Sequence, residues 1–327
     1  MIHVVRAGLL TTVQDAGRRG LQQHGVITAG AMDPVAQRVA NLLVGNPADA
    51  ATLEATMLGP TLELAADVLL AIAGADTGAT LDDRPVPLWC PFPARRGTIL
   101  VLGSARVGCR AYIAVGGGID VPAVLDSRAT DLIAGIGGVD GRALRAGDTL
   151  PLGEPGRTSR RILDRIRAAP GHARAAGRSL LPRYARESVV RVIRGPEHGR
   201  FTARSTEQLV GDAFEVSAQS NRMGIRLSGP ALALAGPYDL FSSPVATGTI
   251  QVPPSGEPIV LMADHQTIGG YPRIANVITV DLPLLAQTPP GTHIRFREVT
   301  VHEAQSLYRE RERDFHMFAE ALRLHYR

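Results

Sequence analysis

Short apolar runs, each bounded by glycine or proline, recur along the whole sequence. Some alternate apolar and polar positions and others are continuously apolar, which is the pattern of β-strands buried on one face or on both. The 35 glycines and 23 prolines supply frequent turns, so the pattern favours barrels or sandwiches over a parallel βαβ layout. The predicted strands cover residues 62–64, 68–72, 98–102, 111–115, 189–193, 225–227, 259–262 and 293–296.

Two segments have the periodicity of amphipathic helices. Asp33 can cap a helix that begins at Pro34 and ends near Leu43, with Gly45 just beyond its end. The second helix is predicted over residues 302–324 and is expected to cover the core or to meet a partner subunit. Its apolar residues, on or near one face, are Ala304, Leu307, Phe315, Phe318 and Leu322.

A faint internal repeat suggests two related domains. Residues 59–66 match residues 229–236, and residues 96–101 match residues 290–295. Each copy is predicted to form a Gly-Pro turn, a strand, and a Gly-Thr turn that leads into another strand. A chance alignment of glycine-rich turns is the alternative.

The length of 327 residues also favours two domains. We predict a first domain over residues 1–185, a second over residues 186–300, and a C-terminal helix over residues 301–327. The first includes an Arg-rich connector at about 154–186, with nine arginines and a short solvated helix at 160–168. A binding patch for an acidic partner is the alternative for this segment.

The basic residues exclude several kinds of chemistry on this chain. All 35 are arginine, so there is no lysine to bind ATP phosphates in a P-loop, to form a Schiff base, or to carry biotin or a lipoyl arm. If the protein works with ATP or biotin, another chain must supply the lysine that binds the phosphates or carries the biotin. The net charge is only +4, and no basic face interleaved with aromatic residues is evident, so nucleic-acid binding is not expected.

The cysteines and histidines indicate neither a disulfide framework nor a metal site. Cys90 and Cys109 are too few for a framework and lack ligand spacing, and the nine histidines show no paired spacing with carboxylates. We therefore expect buried, reduced thiols and no bound metal. The sequence shows no signal-peptide pattern and no apolar run of about 18 residues. We predict a soluble, cytoplasmic protein that does not associate with a membrane.

The densest polar chemistry lies in residues 249–274. This segment contains Gln251, a Pro-Pro-Ser-Gly turn that includes Ser255, an apolar run, and then a polar stretch that leads into two adjacent glycines. Loops that follow strands are where a rigid scaffold displays functional side chains. The predicted substrate-binding residues in this segment are Gln251, Ser255, Thr267, Gly269, Gly270 and Tyr271.

Asp264 and Gln266 are the predicted catalytic pair of this segment. Successive residues of a strand point to opposite faces, so these two side chains would share one face, with His265 and Thr267 on the other. A carboxylate next to an amide could position water or move a proton. A purely structural turn is the alternative interpretation.

Residues 220–222 form the next candidate group. Arg222 offers a planar guanidinium suited to a carboxylate or phosphate and is predicted to be catalytic. Ser220 and Asn221 are predicted to bind substrate, because asparagine tolerates turns while it reaches a ligand. An ion pair with an acidic residue is the alternative for Arg222.

A second cluster is predicted in the first half of the chain. Asp33 belongs to it, although its role as a helix cap is favoured over a catalytic one. The cluster comprises Thr11, Gln14, Asp15, Arg18, Met32 and Asp33.

Several short motifs, in a fixed order over about 300 residues, indicate the family. They are GLLTTVQD at 8–15, GR at 17–18, GAMD at 30–33, ANLLVGN at 40–46, LE at 53–54, GP at 59–60, RAY at 110–112, GGG at 116–118, SR at 127–128, RGP at 194–196 and SNRMG at 220–224. With residues 249–274 they resemble the allophanate hydrolase subunit 2 / KipA family, also called the carboxyltransferase A–B domain family. One departure is His265, where this family usually has arginine.

The resemblance implies a mainly β fold with some α, built as two tandem cyclophilin-like β-barrel domains. It implies a hydrolase that acts on a cyclic amide, as a subunit of an ATP-dependent 5-oxoprolinase that opens 5-oxo-L-proline to L-glutamate and is active only in a complex. The implied partners are a KipI / allophanate hydrolase subunit 1-like protein and a LamB/YcsF-like subunit. ATP would be bound with or by a partner subunit, and this chain would hold no covalent cofactor.

Two other functions are compatible with the same resemblance. The first is a biotin-dependent carboxyltransferase that acts on urea or a similar amide-type acceptor, with the biotin carried on another chain. The second is a non-enzymatic regulatory protein that binds a KipI-like partner.

Overall fold

The structure, a computed structural model, describes residues 1–182, 184 and 187–327. The chain divides into two compact units, each discontinuous in sequence. The first unit comprises Met1–Arg18, Ala29–Pro182 and Glu312–Arg327, and the second comprises Arg19–Thr28 and Arg183–Arg311. The division into domains 1–185, 186–300 and 301–327 stays a prediction. Within the described residues, no helix is both long and apolar enough to cross a membrane.

The first unit is built from two antiparallel sheets. One has the strand order β11-β1-β4-β9-β6-β7 and the other the order β2-β3-β10-β5-β8. The strands are β1 (Ile2–Arg6), β2 (Leu10–Gln14), β3 (Thr52–Thr56), β4 (Thr61–Leu64), β5 (Val68–Asp76), β6 (Thr80–Leu81), β7 (Arg84–Pro85), β8 (Pro91–Ala94), β9 (Ile99–Val101), β10 (Val107–Val115) and β11 (Thr149–Leu150). The helices are α1 (Pro34–Leu43) and α2 (Arg157–Ala168), with 3-10 turns at Pro170–His172 and Arg178–Leu180.

The second sheet of the first unit is buried on both faces. In β5, Leu70 and Ile72 join the core that the strands of both sheets share, whereas Leu69 and Ala71 join the core around α1. Strand β10 divides in the same way. Alternate residues of a strand point to opposite faces, so a strand covered on both sides must be apolar throughout. This explains the continuously apolar runs at 68–72 and 111–115.

Helix α1 lies on this sheet as predicted. The Asp33 carboxylate accepts a hydrogen bond from the Ala36 backbone N–H at 2.9 Å, Pro34 opens the helix, and Gly45 has a φ of +74° just beyond its end. The predicted apolar stripe is fully buried, at 0% exposure for Ala36, Val39, Ala40 and Leu43.

The second unit contains a closed barrel with the strand order β12-β19-β16-β17-β14-β13-β20. A parallel pairing of β12 with β20 closes it. The strands are β12 (Glu187–Arg194), β13 (Ala213–Val216), β14 (Gly224–Ser228), β15 (Ser243–Pro244), β16 (Thr249–Gln251), β17 (Ile259–Leu261), β18 (Ile268–Gly269), β19 (Arg273–Val277) and β20 (His293–Glu298). Helices α3 (Ala203–Gly211) and α4 (Leu282–Ala286) belong to this unit, with 3-10 turns at Gln22–His24, His198–Arg200 and Thr279–Asp281.

The alternating strands of the sequence are strands of this barrel. In β20, Ile294 and Phe296 are buried and their neighbours His293 and Arg295 are exposed. Strands β15 and β18 pair with each other as a separate two-stranded ribbon. The prediction of a mainly β fold with some α is confirmed.

The internal repeat is only partly reproduced in the structure. Residues 59–66 include β4, and residues 290–295 lead into β20, as predicted. Residues 229–236 do not form the predicted strand, and only Leu234 makes an isolated bridge, to Phe201. The backbone N–H of Leu232 instead donates to Gly256 O at 2.9 Å. The segment is therefore hydrogen-bonded to a loop residue and not to a neighbouring strand.

The Arg-rich segment is more structured than a connector. Its helix α2 begins before the predicted start at residue 160, and Ile162 and Ile166 are 0% and 2% exposed in the core around α1. Because arginine dominates the composition of this segment, a composition-based prediction does not detect the short apolar stripe formed by Ile162 and Ile166. Residues 183, 185 and 186 of the predicted connector lie outside the described residues.

Helix α5 (Val301–His325) matches the predicted C-terminal helix. Its C-terminal half buries Phe315, Phe318 and Leu322 in the first unit's core around α1. Ala304 and Leu307, in its N-terminal half, pack against an apolar cluster of the second unit. The apolar face predicted from the sequence is confirmed.

Removal of the α1 cap should destabilise the protein. Asp33→Ala leaves the buried Ala36 N–H without its acceptor, so we expect the free energy of unfolding to fall by about 1–2 kcal/mol. Urea denaturation followed by circular dichroism measures the change. The control Asp49→Ala removes an exposed aspartate beyond the end of the same helix, and an equal loss in both variants would contradict the capping role.

Candidate functional site

The polar stretch after β17 forms a turn, not a strand. The backbone N–H of His265 donates to Met262 O at 3.1 Å, and the N–H of Asp264 donates to Arg222 O at 2.9 Å. The predicted alternation of faces between Asp264 and Gln266 on one side and His265 and Thr267 on the other is therefore wrong. The strand ends at Leu261, and beyond it the tertiary contacts decide where each side chain lies.

Arg222 and Asp264 form a buried bidentate ion pair. Arg222 Nε donates to Asp264 Oδ2 at 2.8 Å and its Nη2 donates to Oδ1 at 2.9 Å. The two residues are 4% and 3% exposed. The ion-pair alternative for Arg222 thus describes its geometry, and the pair ties the loop at 220–224 to the turn at 262–265.

Ser220 and Asn221 support the same loop through local hydrogen bonds. Ser220 Oγ accepts from the Arg226 N–H at 3.0 Å. Asn221 Oδ1 accepts from the Met223 N–H at 2.8 Å, which is the self-bonded turn that asparagine favours. Both side chains hold the conformation that delivers Arg222 to Asp264.

Gln251 and Gln266 come together, although they lie on different segments. Gln251, at the end of β16, is 2% exposed, and its Nε2 donates to Tyr271 O at 3.4 Å. The half-buried Gln266 donates from its Nε2 to Gln251 Oε1 at 3.5 Å. Gly269 packs directly against Gln251, because a Cβ at this position would lie 2.4 Å from its Nε2. This contact joins a residue predicted to bind substrate to one predicted to be catalytic.

The other predicted substrate-binding residues of this segment have separate surroundings. The Thr267 carbonyl accepts from the Val245 N–H at 3.1 Å, and Tyr271 is 45% exposed. Gly270 lies beside Ser242, whose Oγ would be 3.4 Å from a Cβ. Ser255 Oγ instead accepts from the Glu257 N–H at 3.4 Å within its own turn.

His265 joins two loops through both ring nitrogens. Nδ1 is 2.6 Å from Gln266 O and Nε2 is 3.1 Å from Thr247 Oγ1. Burial lowers the pKa of His265 below its ordinary value, against smaller opposing effects of the Gln266 carbonyl and the Asp264 charge. The ring is therefore held neutral, so it does not supply the fixed charge of an arginine.

A second buried ion pair near this segment was missed by the sequence analysis. Arg273 Nη2 and Nε donate to the two carboxylate oxygens of Glu197 at 2.6 and 2.7 Å. The hydrogen bonds from the Arg273 side chain hold the pKa of Glu197 below its usual value. Arg273 Nη1 also donates to Pro244 O at 3.2 Å. The RGP motif at 194–196 directly precedes Glu197. Its spacing does not indicate that Glu197 would pair with Arg273.

In the first unit, Asp15 is a structural acceptor. Its Oδ1 accepts from Ser127 Oγ at 2.7 Å and from the Gly17 N–H at 2.8 Å, and its Oδ2 accepts from the Arg128 N–H at 2.5 Å. Gln14 Nε2 donates to Thr130 O at 3.2 Å. These contacts join the motifs at 8–15 and 127–128 in the folded chain.

Glu54 organises the other half of this cluster and was not predicted. Its Oε2 accepts from the Met32 N–H at 2.9 Å and from the Tyr112 hydroxyl at 2.7 Å. The same hydroxyl accepts from the Asp33 N–H at 2.7 Å. Burial, followed by the charges of Glu54 and Asp33, raises the pKa of Tyr112 well above its ordinary value. The sequence signal that could have indicated this contact is the presence of Glu54 and Tyr112 within otherwise apolar strand segments.

Thr11 and Arg18 complete the predicted cluster. Thr11 Oγ1 donates to Ala7 O at 2.6 Å. Arg18 is 1% exposed, and its Nε donates to Val124 O at 3.1 Å. Each side chain thus bonds a backbone carbonyl of its own unit.

Neither cysteine forms a disulfide bond, and Cys109 is buried and Cys90 partly buried. Burial raises the pKa of both thiols. Over residues 1–182, 184 and 187–327, no cluster of three or more His, Cys, Asp or Glu side chains could hold a metal ion.

Comparison with known proteins assigns this mainly β chain to a class. Residues 24–298 match the family described as carboxyltransferase domain, subdomain A and B, and the chain belongs to that family. The resemblance seen in the motifs is thereby confirmed.

Within this class the chain is similar along its full length to the C subunit of 5-oxoprolinase. The identity to the protein of this name from Escherichia coli is 42% over 319 residues, which cover 98% of each chain. The corresponding protein from Haemophilus influenzae is 37% identical over 95% of this chain and 96% of its own.

Larger eukaryotic proteins contain a similar region. A urea amidolyase from Lachancea kluyveri is 34% identical over 93% of this chain but only 17% of its own length. The crystal structure of urea amidolyase from Kluyveromyces lactis superimposes with a TM-score of 0.87 and 31% identity, over 97% of this chain and 20% of that one. The chain therefore corresponds to about a fifth of these proteins.

Breaking the Arg222–Asp264 pair on one side should be costly. Arg222→Met leaves the Asp264 carboxylate buried without its main partner, so we expect the free energy of unfolding to fall by about 3–5 kcal/mol. In Arg222→Met/Asp264→Leu both charges are gone, and much of that loss should be recovered. Urea denaturation of both variants tests this, and a double variant whose loss equals the sum of the single-variant losses would contradict a buried pair.

Stability should fall at mildly acidic pH because of His265. Its pKa is lowered in the folded state, so the unfolded chain binds a proton more readily. The contribution of neutral His265 is present above the ordinary value of about 6.5 and is lost as the pH falls through the folded-state pKa. We expect His265→Gln to reduce the loss of unfolding free energy between about pH 7.5 and 5. The control His302→Gln removes an exposed histidine, and equal pH dependence in His265→Gln and the unmodified protein would contradict the role of burial.

Proposed function

We propose that this protein is the C subunit of an ATP-dependent 5-oxoprolinase, which opens the lactam of 5-oxo-L-proline to L-glutamate. One observation carries the proposal: the match to the Escherichia coli protein of that name extends over 98% of both chains at 42% identity. The urea amidolyase match covers a similar share of this chain but only 17% of the other protein. A relative of equal extent is the better guide to the function of a whole chain.

The proposed reaction explains why ATP is needed. A lactam is a stabilised amide, and phosphorylation of its oxygen by ATP would make the carbonyl carbon open to water. A first water attacks this carbon, the C–N bond breaks and the nitrogen takes up a proton, which leaves an acyl phosphate. A second water hydrolyses the acyl phosphate, so that one ATP and two waters yield glutamate, ADP and phosphate. Polar donors that face the developing negative charge would lower the barrier.

This chain offers particular side chains for that environment. The predicted roles are electrostatic for Arg222, Asn221 and Gln266. For Asp264 the predicted role is proton transfer or water positioning. Gln251 and Gln266 contribute amide groups that are not committed to an ion pair.

The ATP chemistry is assigned to partner proteins. This chain has no lysine, so a phosphate-binding lysine of the P-loop kind would have to come from another chain. We propose a KipI-like protein and a LamB/YcsF-like protein as partners. The proposed location of the complex is the cytoplasm.

Carboxyl transfer is the second candidate function. The family description and the close superposition on a urea amidolyase at a TM-score of 0.87 favour it. A biotinylated carrier would then have to be a separate protein, because this chain has no lysine to carry biotin. A third candidate is a regulatory protein that binds its KipI-like partner without turnover.

Glutamate release from 5-oxo-L-proline tests the proposal. The assay uses this chain co-purified with its KipI-like and LamB-like partners, with and without ATP. We expect ATP-dependent release that disappears when this chain is omitted, and ADP formed in a one-to-one ratio with glutamate. No release from an assembled complex would contradict the proposal, and carboxylation of urea by an added biotin carrier would favour the second candidate.

A further inference from the structure

Gln251 is a buried amide with unusually long hydrogen bonds. It is 2% exposed, and its contacts with Tyr271 O and Gln266 Nε2 measure 3.4 and 3.5 Å. Most N–H···O hydrogen bonds in proteins lie near about 2.9–3.0 Å. A buried polar group that is held this loosely is costly unless another group completes its bonding.

Gly269 makes room for this amide. Its φ is not in the left-handed region, so the backbone conformation of β18 does not require glycine. A Cβ would nevertheless lie 2.4 Å from Gln251 Nε2 and 3.4 Å from its Oε1. Glycine at this position therefore leaves space for the Gln251 amide where it contacts Gln266.

Gln266 keeps a donor and an acceptor for a ligand. Its contact with Gln251 uses one of the two N–H groups on Nε2. Within the described part of the chain, the second N–H and the Oε1 atom have no hydrogen-bond partner. The residue is half-buried, which leaves one edge of its amide accessible. A primary amide presents one of its two N–H groups beside its oxygen, and we take this N–H to be the one left for a ligand while the other contacts Gln251.

A lactam is the complementary ligand. The ring holds its amide in the cis form, so N–H and C=O lie on one edge and can form two reciprocal hydrogen bonds with a side-chain amide. A carboxylate has no donor, and an ammonium group has no acceptor. Neither can satisfy both groups of Gln266. Urea presents the same kind of edge, and the experiment below separates the two.

We propose that Gln266 binds the amide edge of the 5-oxo-L-proline ring, and that Gln251, set by Gly269, is the positioning residue that orients it. This inference rests on the proposed function for the identity of the lactam. Gln266 then determines specificity for the closed ring, because the opened product no longer presents a cis amide edge. No bond is made or broken by either glutamine.

The main test is Gln266→Met in the complex reconstituted from all three proteins. Methionine has a similar size and cannot form either hydrogen bond, so we expect KM for 5-oxo-L-proline to rise about 10- to 100-fold with little change in kcat. The matched control Gln219→Met makes the same chemical change at an exposed glutamine of the same unit and should leave both constants unchanged. Inhibition of the unmodified complex by L-proline, which lacks the lactam carbonyl, should be far weaker than by a simple five-membered lactam.

Gly269→Ala supplies a second test that leaves Gln266 intact. The new methyl group displaces the Gln251 amide, so KM should rise in the same direction while the complex still assembles. Gly211→Ala is its control, because a Cβ there meets nothing within 4 Å. If Gln266→Met does not assemble, the Gly269→Ala result decides.

The outcomes separate this inference from the proposed function. Turnover by the unmodified complex with KM unchanged in an assembled Gln266→Met variant overturns the role of Gln266 and leaves the function standing. No turnover of 5-oxo-L-proline by the unmodified complex overturns the proposed function. Inhibition by urea at concentrations as low as those of the lactam would overturn specificity for the ring.

Discussion

Buried charge in the second unit is paired by arginine, and its loops depend on these pairs. In the described residues, three arginines each form a bidentate contact with a buried carboxylate, at distances of 2.6–2.9 Å. Each pair ties a loop or turn to a segment distant in sequence. The pairs are Arg191–Asp281, Arg222–Asp264 and Glu197–Arg273. An unpaired charge in these positions would cost several kcal/mol, so the loops have little freedom to lie elsewhere.

Arginine suits this task better than lysine would. Its planar guanidinium matches both oxygens of a carboxylate, which fixes the angle between two segments as well as their distance. The pair of Arg191 with Asp281 also uses the backbone N–H of Arg191, at 2.7 Å, so strand β12 and the turn before α4 are joined at one carboxylate. The chain contains no lysine, and all three pairs use the two-pronged geometry of the guanidinium.

The region proposed to meet substrate differs from these pairs in its electrostatics. Its glutamine amides carry no net charge, and their hydrogen bonds are long. The rigid ion pair of Arg222 with Asp264 precedes it directly in the same turn. The Arg222–Asp264 ion pair therefore holds the loops in place, and the loosely bonded amides of Gln251 and Gln266 are the groups proposed to bind a neutral ligand. His265 stays neutral because it is buried, which keeps further charge out of this region.

The sequence by itself determined many of the strands, although the one predicted at 229–236 is absent, and it determined helix α1 with its Asp33 cap, helix α5 and the family, because periodicity, caps and motif order are local properties. It also singled out the polar residues at 220–222 and 264–267, but not the contacts between them. Only the tertiary structure decided that Asp264 faces Arg222 and that Glu54 holds Tyr112, because a buried charge finds its partner through packing and not through spacing. The turn at 262–265 is the clearest case: an extended strand would have alternated its side chains, and the bonds of the turn to Met262 and Arg222 set them differently.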